Sequence, residues 1–230
     1  MFPPRCPVCG ELRIPWESST CPKCAGVLRF ITEPVCLCCG KEIADGEKEY
    51  CVTCEKEQPS VTRNFAVWRY DKAMKKSIAA FKYGGRKEYA DFYVRHMAQE
   101  IGRRLVRYGV TVLVPVPVSK KRRRYRGFNQ AELLSEKLAK ELGLVSANLL
   151  VRRKNTVPQS SLTPAERKKN LIGSIEWDEK AARSLEVYPT AVAVVDDIYT
   201  TGSTMSACAE VLQTRGIQRV YGVCVCIGTD

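Results

Sequence analysis

Apolar residues in the last three-quarters of the chain form short runs that alternate with helical patterns, as is typical of parallel α/β domains. The run at 191–195 contains only small and β-branched residues. Such a run favours a strand that is buried on both faces, as in a parallel sheet. In the run at 112–118, Pro115 and Pro117 limit a central strand to about Val114. Strands are therefore predicted at residues 65–70, 112–114, 191–195 and 220–227.

Helices are predicted between these strands from apolar stripes and capping residues. Asp71 suits the N-cap of a helix whose apolar face carries Met74, Ile78 and Phe81. A longer helix then buries residues 89, 92, 93, 97, 101 and 105, and Asn129 suits the N-cap of a helix over 130–142. The order of elements predicts an α/β fold.

The junction between the strand at 191–195 and the following helix has the composition of a ligand site. Two carboxylates, Asp196 and Asp197, lie at the carboxyl end of the strand, where open α/β sheets bind ligands. Backbone N–H groups at a helix start, together with hydroxyl side chains, can hold a phosphate. A solvated acidic turn is the alternative, but the order of the parts favours a phosphate cradle formed by Thr200, Thr201, Gly202, Ser203 and Thr204.

A basic loop is predicted after the strand at 112–114. Six of the seven residues from Lys120 to Arg126 are cationic. Arginine offers a bidentate fork to pyrophosphate, whereas the nearby rings of Tyr125 and Phe128 suit stacking on nucleic-acid bases. Both uses are compatible with the same residues, and a plain solvated patch is the simplest alternative.

The cysteines predict two metal sites in the first 60 residues. Eight of the twelve cysteines form four Cys-x-x-Cys pairs that start at intervals of fifteen residues. With no secretory signal in the sequence, tetrahedral zinc is favoured over disulfides. Sequential pairing is preferred, although an interleaved pairing fits the same spacing and Cys38 is a spare ligand. The preferred sites are Cys6, Cys9, Cys21 and Cys24, then Cys36, Cys39, Cys51 and Cys54.

The chain is predicted to divide near residue 60. Residues 1–60 have too little core to fold without metal, and residues 61–230 carry the α/β pattern. The head is expected to be structural, with a docking or nucleic-acid-contacting role as the alternative. Residues 152–175 lack core periodicity and are predicted to form a mobile loop that acts as a lid.

Composition and charge limit the function further. With 45% apolar and 27% charged residues and no long apolar run, the chain is expected to be globular, without a membrane span, and cytoplasmic. The formal net charge of +12 favours an anionic partner such as a nucleotide or a nucleic acid.

Several of these motifs resemble known families. The stretch at 191–204 resembles the phosphoribosyl-pyrophosphate (PRPP) loop of type I phosphoribosyltransferases, in which two acids grip the ribose diol and the TTGST turn binds the 5′-phosphate. With the cysteine-rich head, FKYG at 81–84, PVPVS at 115–119 and RGFNQA at 126–131, the whole chain resembles the ComF family of bacterial competence proteins. That family is expected to carry one zinc finger, whereas this sequence has cysteines for two.

The resemblance implies a phosphoribosyltransferase-like domain with a zinc-ribbon head, binding of PRPP with Mg²⁺, and handling of incoming single-stranded DNA. As an enzyme, the protein would transfer phosphoribose or hydrolyse PRPP, with Ser119, Lys120 and Arg126 facing the pyrophosphate. As a binding module, it would hold single-stranded DNA while the PRPP site is regulatory or vestigial. As a scaffold, it would use its zinc head to join competence-machinery proteins.

Overall fold

The computed structural model describes residues 4–13, 19–153 and 173–228. A five-stranded parallel sheet forms its centre, and two further short strands pair antiparallel beside it. The strands are β1 (Arg63–Arg69), β2 (Val112–Pro115), β3 (Val145–Ser146), β4 (Leu150–Arg152), β5 (Ile175–Trp177), β6 (Ala191–Tyr199) and β7 (Arg219–Ile227). The sheet order is β1-β7-β6-β2-β3, and β4 pairs with β5.

Helices pack on both faces of this sheet and create two cores. Helices α2, α3 and α5 close one face, whereas the last helix, the β4–β5 pair and part of the cysteine-rich head close the other. The helices are α1 (Val52–Glu57), α2 (Lys72–Tyr83), α3 (Tyr89–Arg107), α4 (Lys120–Arg126), α5 (Gln130–Leu142), α6 (Glu179–Ala182) and α7 (Ser203–Gln213). The predicted parallel α/β class is confirmed.

The helix caps predicted from the sequence are present. Asp71 Oδ1 accepts a 3.0 Å hydrogen bond from the Met74 N–H at the start of α2, and Asn129 Oδ1 accepts one from the Ala131 N–H at the start of α5. The stripes of both helices, and that of α3, face the core because their spacing places them on one side of each helix.

Strand β6 is longer than the sequence pattern predicts. The apolar run ends at Val195, but parallel pairing with β7 continues through Asp196 opposite Cys224 and ends at Tyr199 opposite Ile227. The acids therefore lie within the strand, because backbone pairing does not depend on side-chain polarity. Similarly, β2 extends one residue beyond Val114, and Pro115 is accommodated as its last residue.

The basic run from Lys120 to Arg126 is a helix, α4, and not the loop predicted from its charge. Ser119 Oγ accepts a hydrogen bond from the Arg122 N–H at its start. Gly127, with φ +79°, terminates it in the left-handed conformation. Lysine and arginine are good helix formers, and these two flanking residues supply the capping that a short helix needs.

Most of the predicted mobile loop at 152–175 lies outside the described residues, namely 154–172. The two ends of this stretch are described. Arg152 closes β4 and Ile175 opens β5, and these residues are paired in the antiparallel register. The segment therefore starts and ends at one place on the sheet face.

Candidate ligand site and zinc clusters

A cavity of about 580 Å³ opens at the carboxyl edge of the sheet between β2 and β6. These neighbouring strands are followed by connections in opposite directions, because β2 leads to β3 on one side and β6 leads to β7 on the other. Such a switch point is where an open α/β sheet leaves a crevice for a ligand. The predicted residues Asp196, Asp197, Thr200, Gly202, Ser203, Thr204 and Arg126 all line the cavity.

The two acids of the cavity have different surroundings. Asp197 is buried and forms an ion pair with Lys82 of α2, with 2.8 Å between Nζ and Oδ1. Asp196 Oδ1 accepts a 2.8 Å hydrogen bond from the Asp197 N–H. Burial, and then the charge of Asp197, raise the pKa of Asp196 to about 7. Asp196 therefore titrates near neutral pH.

No sequence pattern predicts Lys82 as a residue of this site, although it lies in the FKYG motif at 81–84. Burial opposes its charge, but the carboxylates of Asp197 and Asp196 outweigh that effect and raise the pKa of Lys82. The lysine thus remains charged and offsets part of the negative charge of the acid pair. No local sequence signal links α2 to β6, because only the fold brings them together.

The hydroxyl-rich turn has the geometry of an anion-facing helix start. Gly202 is the N-cap of α7 with φ +77°, a conformation that glycine adopts without strain. Ser203 and Thr204 form the first turn of the helix and line the cavity. Thr201 does not line the cavity, but its Oγ1 lies 2.9 Å from Ser203 Oγ, where it orients that hydroxyl.

Three arginines line the same cavity as the acids. Arg126 is predicted from the sequence to face pyrophosphate, whereas Arg122 and Arg152 are not. Burial, and then Arg126, lower the pKa of Arg122. Burial, and then Arg122, lower the pKa of Arg152. Mutual repulsion of this kind favours a bound anion that neutralises the cluster.

Ser119 and Lys120, the other residues predicted to face pyrophosphate, do not line the cavity. Ser119 is buried and caps α4, and Lys120 is exposed. The helical period explains the difference: Arg122 and Arg126 are four residues apart and share the inner face of α4. A loop prediction could not make that distinction.

The exposed residues of α4 are basic apart from one ring, that of Tyr125, which also lines the cavity. Tyr125 is 80% exposed, and its ring centroid lies 6.4 Å from that of Tyr83. Arg126 donates hydrogen bonds to Tyr83 Oη and to Gln130 Oε1. The prediction that Phe128 stacks on bases is wrong, because Phe128 is buried and packs edge-on against Phe81.

The cysteines of the head form two clusters with the sequential pairing. Within each cluster the four Sγ atoms lie within 4.8 Å of one another. Zinc–sulfur bonds of about 2.3 Å require sulfurs about 3.8 Å apart in a tetrahedron. Cys9 and Cys21 are 3.7 Å apart and Cys39 and Cys51 are 3.8 Å apart, as that geometry requires.

The two clusters repeat one local structure. The Cys6 N–H donates to the Glu11 carbonyl and the Gly10 N–H to the Cys6 carbonyl, and Cys36, Lys41 and Gly40 repeat the pattern. Burial would raise the pKa of Cys6, but backbone hydrogen bonds, chiefly from Cys21, lower it to about 7. These turns thus present thiolates to a metal.

The remaining cysteines are not ligands of either cluster. Cys38 is buried next to the second cluster, and its pKa is lowered mainly by a hydrogen bond from Cys54. The cysteines of the later elements are fully buried in the core as small side chains, namely Cys208, Cys224 and Cys226.

Comparison with known proteins gives an independent view of both parts. Residues 1–55 match the double zinc ribbon domain, which supports the two four-cysteine sites. Competence protein F of Haemophilus influenzae is 29% identical over 86% of this chain and 86% of its own length. Competence protein ComFC of Bacillus subtilis is 29% identical over 87% of this chain and 80% of its own. The predicted ComF resemblance is confirmed. DNA utilization protein YhgH of Salmonella typhimurium, also 29% identical, covers 95% of this chain and 96% of its own length.

A more distant match is a crystal structure of adenine phosphoribosyltransferase. It covers 64% of this chain and 74% of its own, with a TM-score of 0.40 and 14% identity. No helix within the described ranges is long and apolar enough to cross a membrane.

Proposed function

We propose that this ComF-type chain binds PRPP with Mg²⁺ in the cavity between β2 and β6. The observation that carries the proposal is the arrangement of opposite charges in one cavity at the switch point of the sheet. Two carboxylates, a hydroxyl-rich helix start and three arginines all line this cavity. A sugar that bears a phosphate at one end and a diphosphate at the other has the complementary pattern.

Each group has a defined task in this proposal. The N–H groups of the first turn of α7, with the hydroxyls of Ser203 and Thr204, hold the 5′-phosphate. Asp196 and Asp197 accept hydrogen bonds from the ribose diol. Arg122, Arg126 and Arg152 neutralise the diphosphate, and two of these arginines replace Ser119 and Lys120 in that role.

The acid pair also fits Mg²⁺, which prefers carboxylate, phosphate and water oxygens. When bound, the ion would neutralise the diphosphate as a leaving group. Lys82 holds Asp197 in place through their 2.8 Å ion pair, and Asp196, the acid without that partner, is ionised above its pKa of about 7. Asp196 is therefore the acid whose charge state is open to change when a ligand binds.

The test is isothermal calorimetry with PRPP and Mg²⁺. Asp196→Asn and Asp197→Asn remove the charges that the proposal assigns to ribose and metal, so at least a tenfold loss of affinity is expected for each. Asp91→Asn is the matched control, because Asp91 is an exposed acid of α3 that pairs with Lys137 away from the cavity. Unchanged affinity in both cavity variants refutes the assignment.

Turnover is a separate step of the same proposal. Transfer of phosphoribose, or hydrolysis of PRPP, releases pyrophosphate, and a coupled pyrophosphate assay detects both. Release that requires single-stranded DNA indicates a transferase with a nucleic-acid acceptor. Release in its absence indicates a hydrolase. Binding without release leaves a regulatory or vestigial PRPP site, as expected if the protein acts as a binding module.

We also propose that the exposed residues of α4 contact single-stranded DNA. The supporting observation is the row of exposed cations around the exposed ring of Tyr125. A competence role for two relatives and a DNA-utilization role for a third, as their names state, agree with this partner. Phosphate contacts by cations make such binding strongly dependent on salt, and an aromatic ring stacks on any base.

Fluorescence anisotropy with a labelled oligonucleotide tests this contact. The triple variant Lys121→Ala/Arg124→Ala/Tyr125→Ala should weaken binding at least tenfold and flatten its salt dependence. The variant Arg103→Ala/Lys140→Ala is the control, because it removes exposed cations from α3 and α5. Equal losses in both variants would indicate nonspecific attraction to the net charge and would contradict the proposal.

A further inference from the structure

The second zinc ribbon, which holds the cluster of Cys36, Cys39, Cys51 and Cys54, packs together with the hydroxyl-rich turn at 200–202. The buried cysteines of the second ribbon lie in the same core as Tyr199, the last residue of β6, and Met205 of α7. Tyr199 is only 3% exposed, so its ring has little freedom to move away. The ribbon thus packs with the two elements that flank the turn at 200–202.

Tyr199 contacts the turn itself. A methyl group built on Gly202 would lie 2.2 Å from Tyr199 Oη and 2.7 Å from Cζ, so the end of the ring rests against the Gly202 backbone. Gly202 is the N-cap of α7, and the N–H groups beyond it face the cavity. The ring therefore packs against the backbone whose conformation aims those N–H groups.

A second connection reaches α7 from the chain that leaves the ribbon. The Ser60 N–H donates to Ser206 Oγ at 3.3 Å, and the Ser60 hydroxyl donates to Glu210 at 3.0 Å. Gln213 donates from Nε2 to the Ser60 carbonyl at 3.0 Å. These three bonds span the length of α7, so they fix its position relative to the ribbon.

The first ribbon has different neighbours. Its cysteines pack with Leu28 and with Ala73 of α2, and the Ser77 hydroxyl donates to the Pro7 carbonyl. These contacts lie in the first half of α2, on the other side of the sheet from α7. The two ribbons therefore have the same fold and the same ligands but different supports.

We infer that the second zinc ribbon is a structural part of the cavity. In this inference Tyr199 is the positioning residue: its ring packs with the ribbon and holds the turn at 200–202 in its phosphate-binding conformation. When the second cluster loses its metal, Tyr199 and α7 lose their packing against the ribbon. The N–H groups of the turn then no longer point together into the cavity. The effect on a ligand rests on the proposed PRPP function, whereas the effect on the order of the turn does not.

The experiment compares one ligand substitution in each ribbon of the full chain. Cys51→Ser and Cys9→Ser are matched, because each removes the partly exposed thiol of its cluster. Amide hydrogen exchange is measured over residues 200–205 and over β2 as an internal reference, together with zinc content and PRPP affinity.

Cys51→Ser is expected to speed exchange over 200–205 at least tenfold and to weaken PRPP binding at least tenfold, while β2 is unchanged. Cys9→Ser should change either quantity by less than twofold. Equal effects of the two substitutions, or unchanged exchange in Cys51→Ser, overturn the inference. If the unsubstituted protein does not bind PRPP, the proposed function fails, but the exchange comparison still decides this inference.

Tyr199→Leu keeps the inference testable if Cys51→Ser does not fold. This substitution leaves all eight zinc ligands in place, so zinc content should remain at its original value. Exchange over 200–205 should still rise at least fivefold relative to β2, because the ring no longer supports Gly202. Unchanged exchange with full zinc content overturns the role of Tyr199.

Discussion

Substitution of Gly202 by alanine is a sharp test of how the turn at the cavity is built. Two separate costs arise at this position. The backbone has φ +77°, which an alanine adopts only with strain, and the added methyl group would lie 2.2 Å from Tyr199 Oη. Because Tyr199 is 3% exposed, its ring cannot swing into solvent to make room.

Gly143→Ala separates the two costs. Gly143 ends α5 with φ +67°, and a methyl group there would meet nothing within 4 Å. This control should lose about 1–2 kcal/mol of unfolding free energy, the cost of a left-handed alanine. Gly202→Ala should lose a further ~1–3 kcal/mol, the usual cost of overpacking.

The assay is urea denaturation of both variants, followed by calorimetry with PRPP and Mg²⁺. Gly202→Ala should be the less stable variant by ~1–3 kcal/mol and should bind PRPP at least tenfold more weakly, because the displaced turn no longer presents its N–H groups. Gly143→Ala should keep the original affinity. Equal losses of stability would mean that the Tyr199 ring does not rest against Gly202, and the account of the turn would then be wrong.

Three further predictions concern charge and metal. Lys82→Met should destabilise the fold by about 3 kcal/mol at pH 8 in urea denaturation, because it leaves the buried Asp197 carboxylate without its ion-pair partner, and by less at pH 5, where Asp196 is protonated and the site carries one negative charge fewer. Since the pKa of Asp196 is raised to about 7, the folded state holds a proton that the unfolded chain loses near pH 4. The free energy of unfolding should therefore fall as the pH rises from about 4 to about 7, and Asp196→Asn should make this pH dependence less steep. An equally steep dependence in Asp196→Asn would contradict the raised pKa. Elemental analysis of the purified protein should find two zinc ions per chain, and Cys36→Ser should retain one; disulfides in place of zinc would give none.

Local patterns in the sequence predicted the elements well, because their causes are local. The caps Asp71 and Asn129 are in place since a cap acts on the next turn of its own helix. The cysteine pairs converge as predicted because short loops join adjacent turns. The division of the chain near residue 60 stays a prediction.

The same local reasoning failed at two places, one where caps were overlooked and one where a neighbouring element decides. The charge of the run at 120–126 predicted a loop, but Ser119 and Gly127 cap it as a helix. Phe128 follows that basic run and was expected at the surface, but the fold places it beside Phe81 of α2. Burial is a property of the whole packing arrangement, so composition around one residue does not determine it.

The sequence by itself therefore determined four of the five strands of the parallel sheet, the hydroxyl-rich turn and the two thiol clusters, because period, capping and spacing act over a few residues. Only the tertiary structure decided that Lys82 pairs with Asp197, that Arg122 and Arg152 complete the cavity, and that Tyr199 lies against Gly202 within the core of the second ribbon. These contacts join segments that are far apart in the chain or depend on how a ring packs, and such contacts follow from the packing of elements and not from any one of them.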